Sequence, residues 1–466
     1  LFFLSMPIVV TNLFQTAYNL ADTFWLGQYN TDALAAISFA FPMVFLLISL
    51  GMGISVAGSV LVAQFTGADA DREAEYAASQ TVTFAAIASL ILGGVGYFGV
   101  DTFLELLGAS EDVLPLATSY MEVISLGLLF MFGFAVFIAL MRGYGDTITP
   151  MLVMFGSVVL NIVIDPFLIF GWTVVENAPL VGTVAFPELG IQGAAIATIF
   201  SRALALIVGL VIMFRGNRGV QIHLRDMVPD LSYLRRLVRI GLPASIEGTG
   251  RALSMNLLLV IVAMFPDTVV AAYGIGTRVF SVAFLPALAV ARGVETMTGQ
   301  NVGADKPDRA VQAAELAAKV LFGLLTLAGI AAFLFPEAIV SVFVDADQTN
   351  ATQVINIGAE FIRYVALTFG FMGIMRAYTG SFRGAGKTLT AAAISVLTLA
   401  VVRFPVAWFT AGPLGETGIW LSFAISNIAG AIIAYVWYYR GTWRESDLTD
   451  SRVDLDEASV ETPGDD

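Results

Sequence analysis

Residues 1–27 read LFFLSMPIVVTNLFQTAYNLADTFWLG, an apolar stretch that carries a carboxylate, Asp22, close to its end. About 20 apolar residues in a helix are enough to cross the hydrocarbon core of a bilayer. Such stretches recur as far as residue 440, and they lack the alternation of membrane-barrel strands. The sequence therefore predicts an all-α integral membrane protein with twelve transmembrane helices. The predicted spans are about 1–27, 33–64, 75–99, 114–141, 147–171, 190–213, 234–264, 269–298, 308–335, 353–382, 388–411 and 417–440.

The composition excludes several classes of function. Hydrophobic residues make up 58% of the chain and charged residues only 13%, about half the charged share of a soluble domain. A net charge of −14 disfavours binding to nucleic acid. With no cysteine and a single histidine, the chain offers no thiol nucleophile and no His/Cys metal site. We therefore expect neither an enzyme nor a bound cofactor.

Basic residues predict the orientation of the chain in the membrane. The connections after the odd-numbered spans contain no Lys or Arg, whereas those after the even-numbered spans do. Because positive charge favours the cytoplasmic side, both termini are predicted to be cytoplasmic. We expect a multi-pass protein of the plasma membrane, with the lipid bilayer as its surroundings.

The chain repeats itself. PIVVTN at Pro7 and PASIEG at Pro243 open equivalent spans 236 residues apart, and MRGYGDT at Met141 returns as FRGAGKT at Phe382. Two six-helix lobes with the same topology follow, related by an axis along the membrane normal, and a cleft between such lobes is where a transporter binds its substrate. The predicted domains are the N-terminal lobe 1–213, a cytoplasmic connection 214–233, the C-terminal lobe 234–440 and an acidic disordered cytoplasmic tail 441–466.

The polar residues on span 1 need a bonding partner or a functional role, because a charge at bilayer depth costs about 3 kcal/mol on insertion scales. Asn12, Gln15, Asn19 and Asp22 follow one another at spacings of 3, 4 and 3 residues. This spacing places them on one stripe of a helix.

Span 5 carries a second polar pair in the sequence NIVIDPF. Asn161 and Asp165 are four residues apart and share a helix face. Pro166 cannot donate a backbone hydrogen bond and biases Asp165 away from helical geometry, so we expect a locally opened turn with free carbonyl oxygens. Carbonyl and carboxylate oxygens of this kind bind hard monovalent cations.

Topology brings these groups into one layer. At 1.5 Å per residue, Asp22, Asp165 and Thr198 on span 6 all lie roughly 8–12 Å from the outer ends of their spans, with Tyr120 on span 4 nearby. Two carboxyl groups in one layer that excludes water can both ionise only at a high cost in free energy, unless a cation lies between them. We therefore expect the pair to bind Na⁺ or a proton; the structural alternative is that each Asp only bonds a neighbouring helix.

The C-terminal lobe has no matching carboxylates. Leu258 stands where the repeat would place Asp22, and Arg403 precedes Pro405, the counterpart of Pro166. Opposite charges three or four residues apart are expected to form structural bridges. These pairs are Glu247 with Arg251, Arg292 with Glu295, and Glu360 with Arg363. Glu247 follows Pro243, which predicts a helix break, and it is the candidate acid of this lobe.

The combined motifs resemble the multidrug and toxic compound extrusion (MATE) family. They include residues 7–27, the Gln-x-x-Gly-Ala connections at Gln64 and Gln300, RGYGDT at 142–147 and NIVIDPFLIFG at 161–171. The likeness is greatest to the prokaryotic branch related to the DNA-damage-inducible F proteins. It covers residues 1–440.

The resemblance implies a secondary active antiporter that exports amphipathic, often cationic, organic compounds in exchange for inward H⁺ or Na⁺. It implies that Asp22, Asn161, Asp165 and Thr198 form the cation or proton site, with Gln15, Asn19 and Tyr120 around it. Pro7 resembles the proline at which span 1 of the family is proposed to bend, and Pro166 would be a second hinge.

Two rival functions remain open. A lipid-linked saccharide flippase of the same superfamily would need a cationic cavity for a pyrophosphate. A polytopic membrane enzyme would need a convergent catalytic set, which the sequence does not offer. The expected partners are small amphipathic compounds and lipid, and we expect a monomer.

Overall fold

The computed structural model of the chain describes residues 1–106, 113–178, 182–344, 350–444 and 448. Helices dominate it, as the apolar stretches predict. The predicted acidic tail lies outside the described residues apart from residues 441–444 and 448. The helices of residues 1–215 are α1 Phe2–Tyr29, α2 Thr31–Gly67, α3 Asp71–Leu106, α4 Leu114–Leu126, α5 Leu128–Tyr144, α6 Ile148–Phe170 and α7 Ile191–Arg215.

A connection with one 3-10 turn, Leu224–Met227, joins these helices to the rest of the chain. The second set begins at Leu231, three residues before the predicted boundary, where the Asp230 side chain accepts hydrogen bonds from two backbone N–H groups and caps the helix. The helices of this set are α8 Leu231–Val262, α9 Asp267–Gly303, α10 Pro307–Leu334, α11 Pro336–Ser341, α12 Ala351–Ala366, α13 Phe369–Gly384, α14 Thr388–Val396, α15 Phe404–Leu414 and α16 Glu416–Tyr439.

Most of the predicted spans have a matching helix. Among the described residues, nine helices are long and apolar enough to cross a membrane, and counting α4–α5 and α12–α13 as single broken spans gives eleven. The remaining predicted span is α1. Its 28 residues would extend about 42 Å, which is long enough to cross a bilayer. Its polar stripe, however, lowers its mean hydropathy. The count of twelve therefore remains a prediction that depends on α1.

The two halves of the chain repeat their irregularities as well as their helices. The α4–α5 pair bends by 53° and the α12–α13 pair by 50°. Asp69 and Asp305, 236 residues apart, both have a φ of 55°. This left-handed conformation is open to Asp at a helix end because its short side chain can bond locally. We refer below to residues 1–213 as the N-terminal half and to residues 234–440 as the C-terminal half.

Two local features differ from a plain helical bundle. Strands β1 Trp172–Ala178 and β2 Gly182–Phe186 form an antiparallel hairpin in the connection between α6 and α7. Both strands contain Thr and Val, which are enriched in β-strands and favour this hairpin. In the C-terminal half, Leu397–Arg403 between α14 and α15 form a π-helix, an irregularity often found at functional sites.

In the part of the chain that the structure describes, buried apolar side chains form three clusters. One fills the C-terminal half and includes Phe361 and Trp420. The N-terminal half has one cluster around Leu26 and Met121 and another that reaches from Phe65 to the first turns of α8. The start of α8 therefore packs against the N-terminal half, and α2 packs against both α8 and α9.

The halves meet closely at the end of the molecule predicted to be cytoplasmic. The Gln64 amide donates to the Gly384 carbonyl at 2.9 Å, and the Gln300 amide donates to the Gly143 and Tyr144 carbonyls at 3.2 and 3.0 Å. Deeper in the molecule, the Ser245 hydroxyl donates to the Leu50 carbonyl at 3.0 Å. These bonds close the molecule at this end.

Candidate functional site

Asp22 lies on the buried face of α1, with 6% of its surface exposed. The α1 helix packs along α6 and continues from residue 2 to residue 29 without a break. The Thr198 hydroxyl of α7 donates to Asp22 Oδ2 at a long distance of 3.4 Å. As predicted, span 1 and span 6 bring these two side chains together.

Asn161 and Asp165 are fully buried on α6. The Asn161 amide donates to Asp165 Oδ1 at 3.1 Å, which joins the two residues along one face. The expected opened turn at Pro166 is wrong, because α6 is helical from Ile148 to Phe170. The surrounding helices hold α6 in place, although Pro166 still leaves the Ile162 carbonyl without its usual N–H donor.

The two carboxyl groups face each other. Asp22 and Asp165 lie within hydrogen-bonding reach of one another. Four buried oxygens around them have no hydrogen-bond partner: Asp22 Oδ1, Asp165 Oδ2, Asn161 Oδ1 and the Tyr18 hydroxyl. Unpaired buried polar atoms are rare and call for an explanation, and an unpaired buried carboxylate is costly.

This donor set fits a small hard cation or a proton. Carboxylate, amide and hydroxyl oxygens are the ligands of hard cations. The described residues include no group of three or more His, Cys, Asp or Glu that could hold a metal ion, the kind of site that transition metals prefer.

Two residues in this site were not predicted. Arg202 on α7 is 6% exposed and lies near enough to Asp22 to interact with its charge. Its guanidinium group stacks over the Tyr18 ring at 4.5 Å, and Tyr18 is itself 3% exposed. The signal was present in the sequence, because Arg202 follows Thr198 by four residues and Tyr18 precedes Asp22 by four.

The predicted supporting residues take different places. Gln15 accepts a hydrogen bond from Arg202 at 2.8 Å and donates one to Asn19 at 3.0 Å. Asn19 is exposed, so only the Asp22 end of the polar stripe enters the buried site. Tyr120 is buried on α4 and close enough to interact with the charges of Asp22 and Asp165.

Pro7 lies inside α1 and does not interrupt it. It has no N–H to donate to the Phe3 carbonyl four residues earlier. That carbonyl instead lies 3.5 Å from the Thr147 hydroxyl, and the Thr11 hydroxyl donates to the Pro7 carbonyl at 2.8 Å. A helix with a missing backbone bond can bend there, so the prediction of a hinge at Pro7 remains open.

Glu247 is a paired group in the interior of the C-terminal half. The predicted break at Pro243 is wrong, since α8 continues through it, and Glu247 is 4% exposed. It accepts from Arg251 at 3.2 Å and from Arg383 at 3.1 Å. The predicted Arg292–Glu295 bridge forms at 2.9 Å.

The predicted Glu360–Arg363 bridge is wrong. Arg363 pairs with Glu337 of α11, and Glu360 accepts from the Thr417 hydroxyl at 2.6 Å. Contacts between helices, which spacing along one helix does not reveal, decide these pairings.

Comparisons with known proteins agree with this architecture. The chain is 26% identical to "Probable multidrug resistance protein YoeA" of Bacillus subtilis (strain 168), covering 95% of this chain and 94% of that protein. It is 28% identical to a protein of Shewanella oneidensis named "FAD transporter", covering 93% and 92%. The crystal structure of the Vibrio cholerae MATE transporter VcmN in the bent form matches with a TM-score of 0.86, at 23% identity, covering 96% of this chain and 97% of that one.

The family model described as MatE matches the chain twice, over residues 7–167 and 243–409. The two matches begin 236 residues apart, the same offset as the internal repeat. The resemblance to the MATE family noted from the sequence motifs is thereby confirmed. The chain is a multi-pass membrane transporter that belongs to the MatE family.

Proposed function

We propose that this transporter exports amphipathic organic compounds in exchange for inward movement of Na⁺ or H⁺. Family membership and relatives named for multidrug resistance support multidrug efflux. The observation that carries the coupling is the buried oxygen set of Asp22, Asn161, Asp165 and Tyr18, which lacks hydrogen-bond partners. Such a set is stable only when a cation or a proton completes it.

Charge balance favours one cation per site. The ionised Asp22 and Asp165 carry two negative charges, and Arg202 beside them carries one positive charge, so the group has a net charge of −1. One Na⁺ or one proton neutralises it. Because a buried net charge is costly, the occupied state is favoured wherever the site is closed.

Coupling requires that the cation bind with different affinity in the two states of the transporter. The halves are closed at the predicted cytoplasmic end by Gln64 and Gln300. In the predicted orientation, closure at this end would leave the outer end of the molecule as the route by which Na⁺ or H⁺ reaches the buried site. Bending of α1 at Pro7, with Pro166 as a second hinge, would move Asp22 between the two states.

The remaining expectations complete the proposal. We place the protein in the plasma membrane as a monomer with both termini in the cytoplasm, and we assign it no enzymatic activity and no cofactor. The two halves are the two lobes of the alternating-access cycle, with boundaries at 1–213 and 234–440. Cationic compounds, which the family resemblance implies, are the first substrates to test.

A lipid-linked saccharide flippase is the second candidate. It would need cationic groups for a pyrophosphate, and one observation favours it: Arg251, Arg376 and Arg383 are gathered in the C-terminal half. The relatives named for multidrug resistance favour export of small compounds. A relative named "FAD transporter" extends the range of compounds worth testing to organic phosphates.

The experiment is efflux of a fluorescent organic cation from proteoliposomes under a Na⁺ gradient or a H⁺ gradient. Asp22→Asn and Asp165→Asn should each lower ion-driven efflux by about tenfold or more, in line with typical coupling energies. Asp101→Asn removes the same charge at an exposed position and should leave efflux within about twofold. Full activity in both site variants would refute the proposed site, and the gradient that drives efflux identifies the coupling ion.

A further inference from the structure

The interior of the C-terminal half, together with the end of α5, carries an excess of positive charge. We define the basic cluster as five arginines and two glutamates that interact with one another across α8, α9, α13 and the end of α5. Its members are Arg142, Arg251, Arg292, Arg376, Arg383, Glu247 and Glu295. We propose that this cluster binds an anionic group, a phosphate or a carboxylate, of an amphipathic compound. The inference rests on the proposed function only in assuming that this compound is the one transported.

The two glutamates do not satisfy the arginines. Glu247 is bonded by Arg251, Arg383 and the Ser395 hydroxyl, the last at 3.0 Å. Arg376 approaches Glu247 only at 3.7 Å, too far for a hydrogen bond. Glu295 is bonded by Arg292 at 2.9 Å and by Arg383 at 3.1 Å. The cluster therefore has a net charge of +3 with all its members ionised.

Five buried guanidinium nitrogens of the cluster have no hydrogen-bond partner. They are Arg142 Nε, Arg251 Nε, Arg376 Nε, Arg376 Nη1 and Arg383 Nη2; one acceptor, Glu295 Oε1, is also unpaired. Guanidinium groups present planar pairs of donors that match the oxygens of phosphate and carboxylate. The excess of unpaired donors over unpaired acceptors points to an oxyanion as the missing partner.

One side of the cluster is partly exposed, and an apolar ring lies beside it. The side chains of Arg251 and Arg292 are 23% and 16% exposed, whereas those of Arg376 and Arg383 are 4% exposed. The half-buried Phe284 ring lies under the guanidinium groups of Arg376 at 4.7 Å and Arg251 at 5.4 Å. An amphipathic compound could place its anionic group on the arginines and its apolar part toward this ring.

The cluster is also joined to α1, the helix that carries Asp22. Ser5 of α1 is buried against Gly293 of α9, where an added Cβ would lie 2.4 Å from Ser5 Oγ. Gly293 lies between Arg292 and Glu295 in the sequence. The α1 helix therefore connects the basic cluster with the acidic site, and Pro7 lies between the two contacts. Bending at Pro7 would alter both sites together.

The test is binding of 1-naphthyl phosphate to the purified full-length chain in phosphatidylcholine nanodiscs, compared with the uncharged 1-naphthol. We expect the phosphate to bind at least about tenfold more tightly than the naphthol, with an affinity that falls as salt is raised. Arg251→Gln should weaken phosphate binding by about tenfold or more, and Arg251→Lys, which keeps the charge but loses the planar pair of donors, should restore only part of it. Arg363→Gln removes a positive charge outside the cluster and should have no effect on binding.

Thermal melting and gel filtration establish that each variant is folded, and Arg376→Gln gives a second test should Arg251→Gln prove unstable. Equal binding of phosphate and naphthol, or unchanged phosphate binding in both folded arginine variants, would overturn the inference. A second arm exchanges phosphatidylcholine for phosphatidylglycerol and counts the lipids retained by native mass spectrometry. Retention that depends on Arg251, with no binding of naphthyl phosphate, would identify a lipid headgroup as the source of the anion.

The same variants separate this inference from the proposed function. Asp22→Asn should lower ion-driven efflux by about tenfold or more, and this variant should still bind naphthyl phosphate more tightly than naphthol, because the residue lies outside the basic cluster. If the parent protein bound naphthyl phosphate and naphthol equally while its ion-driven efflux of cations was intact, the anion site alone would be overturned. Phosphate binding that depends on Arg251, together with efflux that is indifferent to both Asp22 and Asp165, would overturn the coupling proposal alone.

Discussion

Gln64 and Gln300 stand at equivalent positions 236 residues apart, and each donates a hydrogen bond to the opposite half of the chain. The acceptor of Gln64 is the carbonyl of Gly384 at the end of α13, and the acceptors of Gln300 are at the end of α5. The carbonyls at a helix C-terminus lack intrahelical donors. The two amides therefore satisfy groups that would otherwise be unpaired, and they do so only while the halves are closed.

We expect Gln64→Ala with Gln300→Ala to open the predicted cytoplasmic end. Each neutral hydrogen bond contributes about 1 kcal/mol, so losing both should shift the equilibrium between closed and open states by roughly tenfold or more. Spin labels at Asp71→Cys and Arg309→Cys would report the distance between the halves, and the chain has no native cysteine to interfere. An unchanged distance distribution in the double variant would contradict this assignment.

The sequence predicted the helices and the repeat well, because both depend on patterns along the chain. Asp22, Asp165 and Thr198 could be brought together from helix direction and rise alone. The ion pairs of Glu247 with Arg376 and Arg383 could not be predicted, since α13 and α8 are far apart in sequence and only the packing of the helices brings them together. The opened turn at Pro166 was wrong because neighbouring helices can support a proline-containing helix.

Arg202→Gln should tighten cation binding and slow transport. Removing the guanidinium group leaves Asp22 and Asp165 without a positive charge beside them, so the affinity for Na⁺ or H⁺ should rise by about tenfold. Tighter binding then slows cation release, and the maximal rate of efflux should fall. The measurement is efflux rate against cation concentration in proteoliposomes. Arg215→Gln, at the exposed end of α7, is the matched control; a lower cation affinity in Arg202→Gln would refute this role.

The connection between the halves should give a pH-dependent contribution to stability. Asp226 is bonded through both carboxylate oxygens by Arg72, at 2.5 and 2.6 Å, and this guanidinium group lowers the pKa of Asp226 below its ordinary value of 3.8. A lowered folded-state pKa means that the pair stabilises the fold above the ordinary pKa. The contribution is lost as the pH falls through the lowered value.

We therefore expect Asp226→Asn to reduce the melting temperature at neutral pH by about 1–2 °C, the effect of a partly exposed ion pair in a large chain. The difference from the parent should shrink below about pH 4. Melting curves of both proteins in detergent between pH 3 and pH 8 would measure it. A difference that grows on acidification would contradict the argument. Asp308→Asn removes the same charge from the exposed pair with Arg444 and should destabilise the protein less at neutral pH.

Gly67 and Gly303 allow the two halves to close. A Cβ added at Gly67 would lie 1.9 Å from the Gln300 carbonyl oxygen, and one at Gly303 would lie 1.9 Å from that of Gln64. Because these neighbours are backbone atoms, the clash can be relieved only if the halves separate.

Gly67→Ala should therefore disfavour the closed state more strongly than loss of the glutamine side chains. The Asp71 and Arg309 spin labels should show a longer distance and efflux should fall. Gly99→Ala, where an added Cβ meets nothing within 4 Å, should leave both distance and efflux unchanged. If Gly67→Ala behaved like Gly99→Ala, close approach of the backbones at this end would not be required for transport.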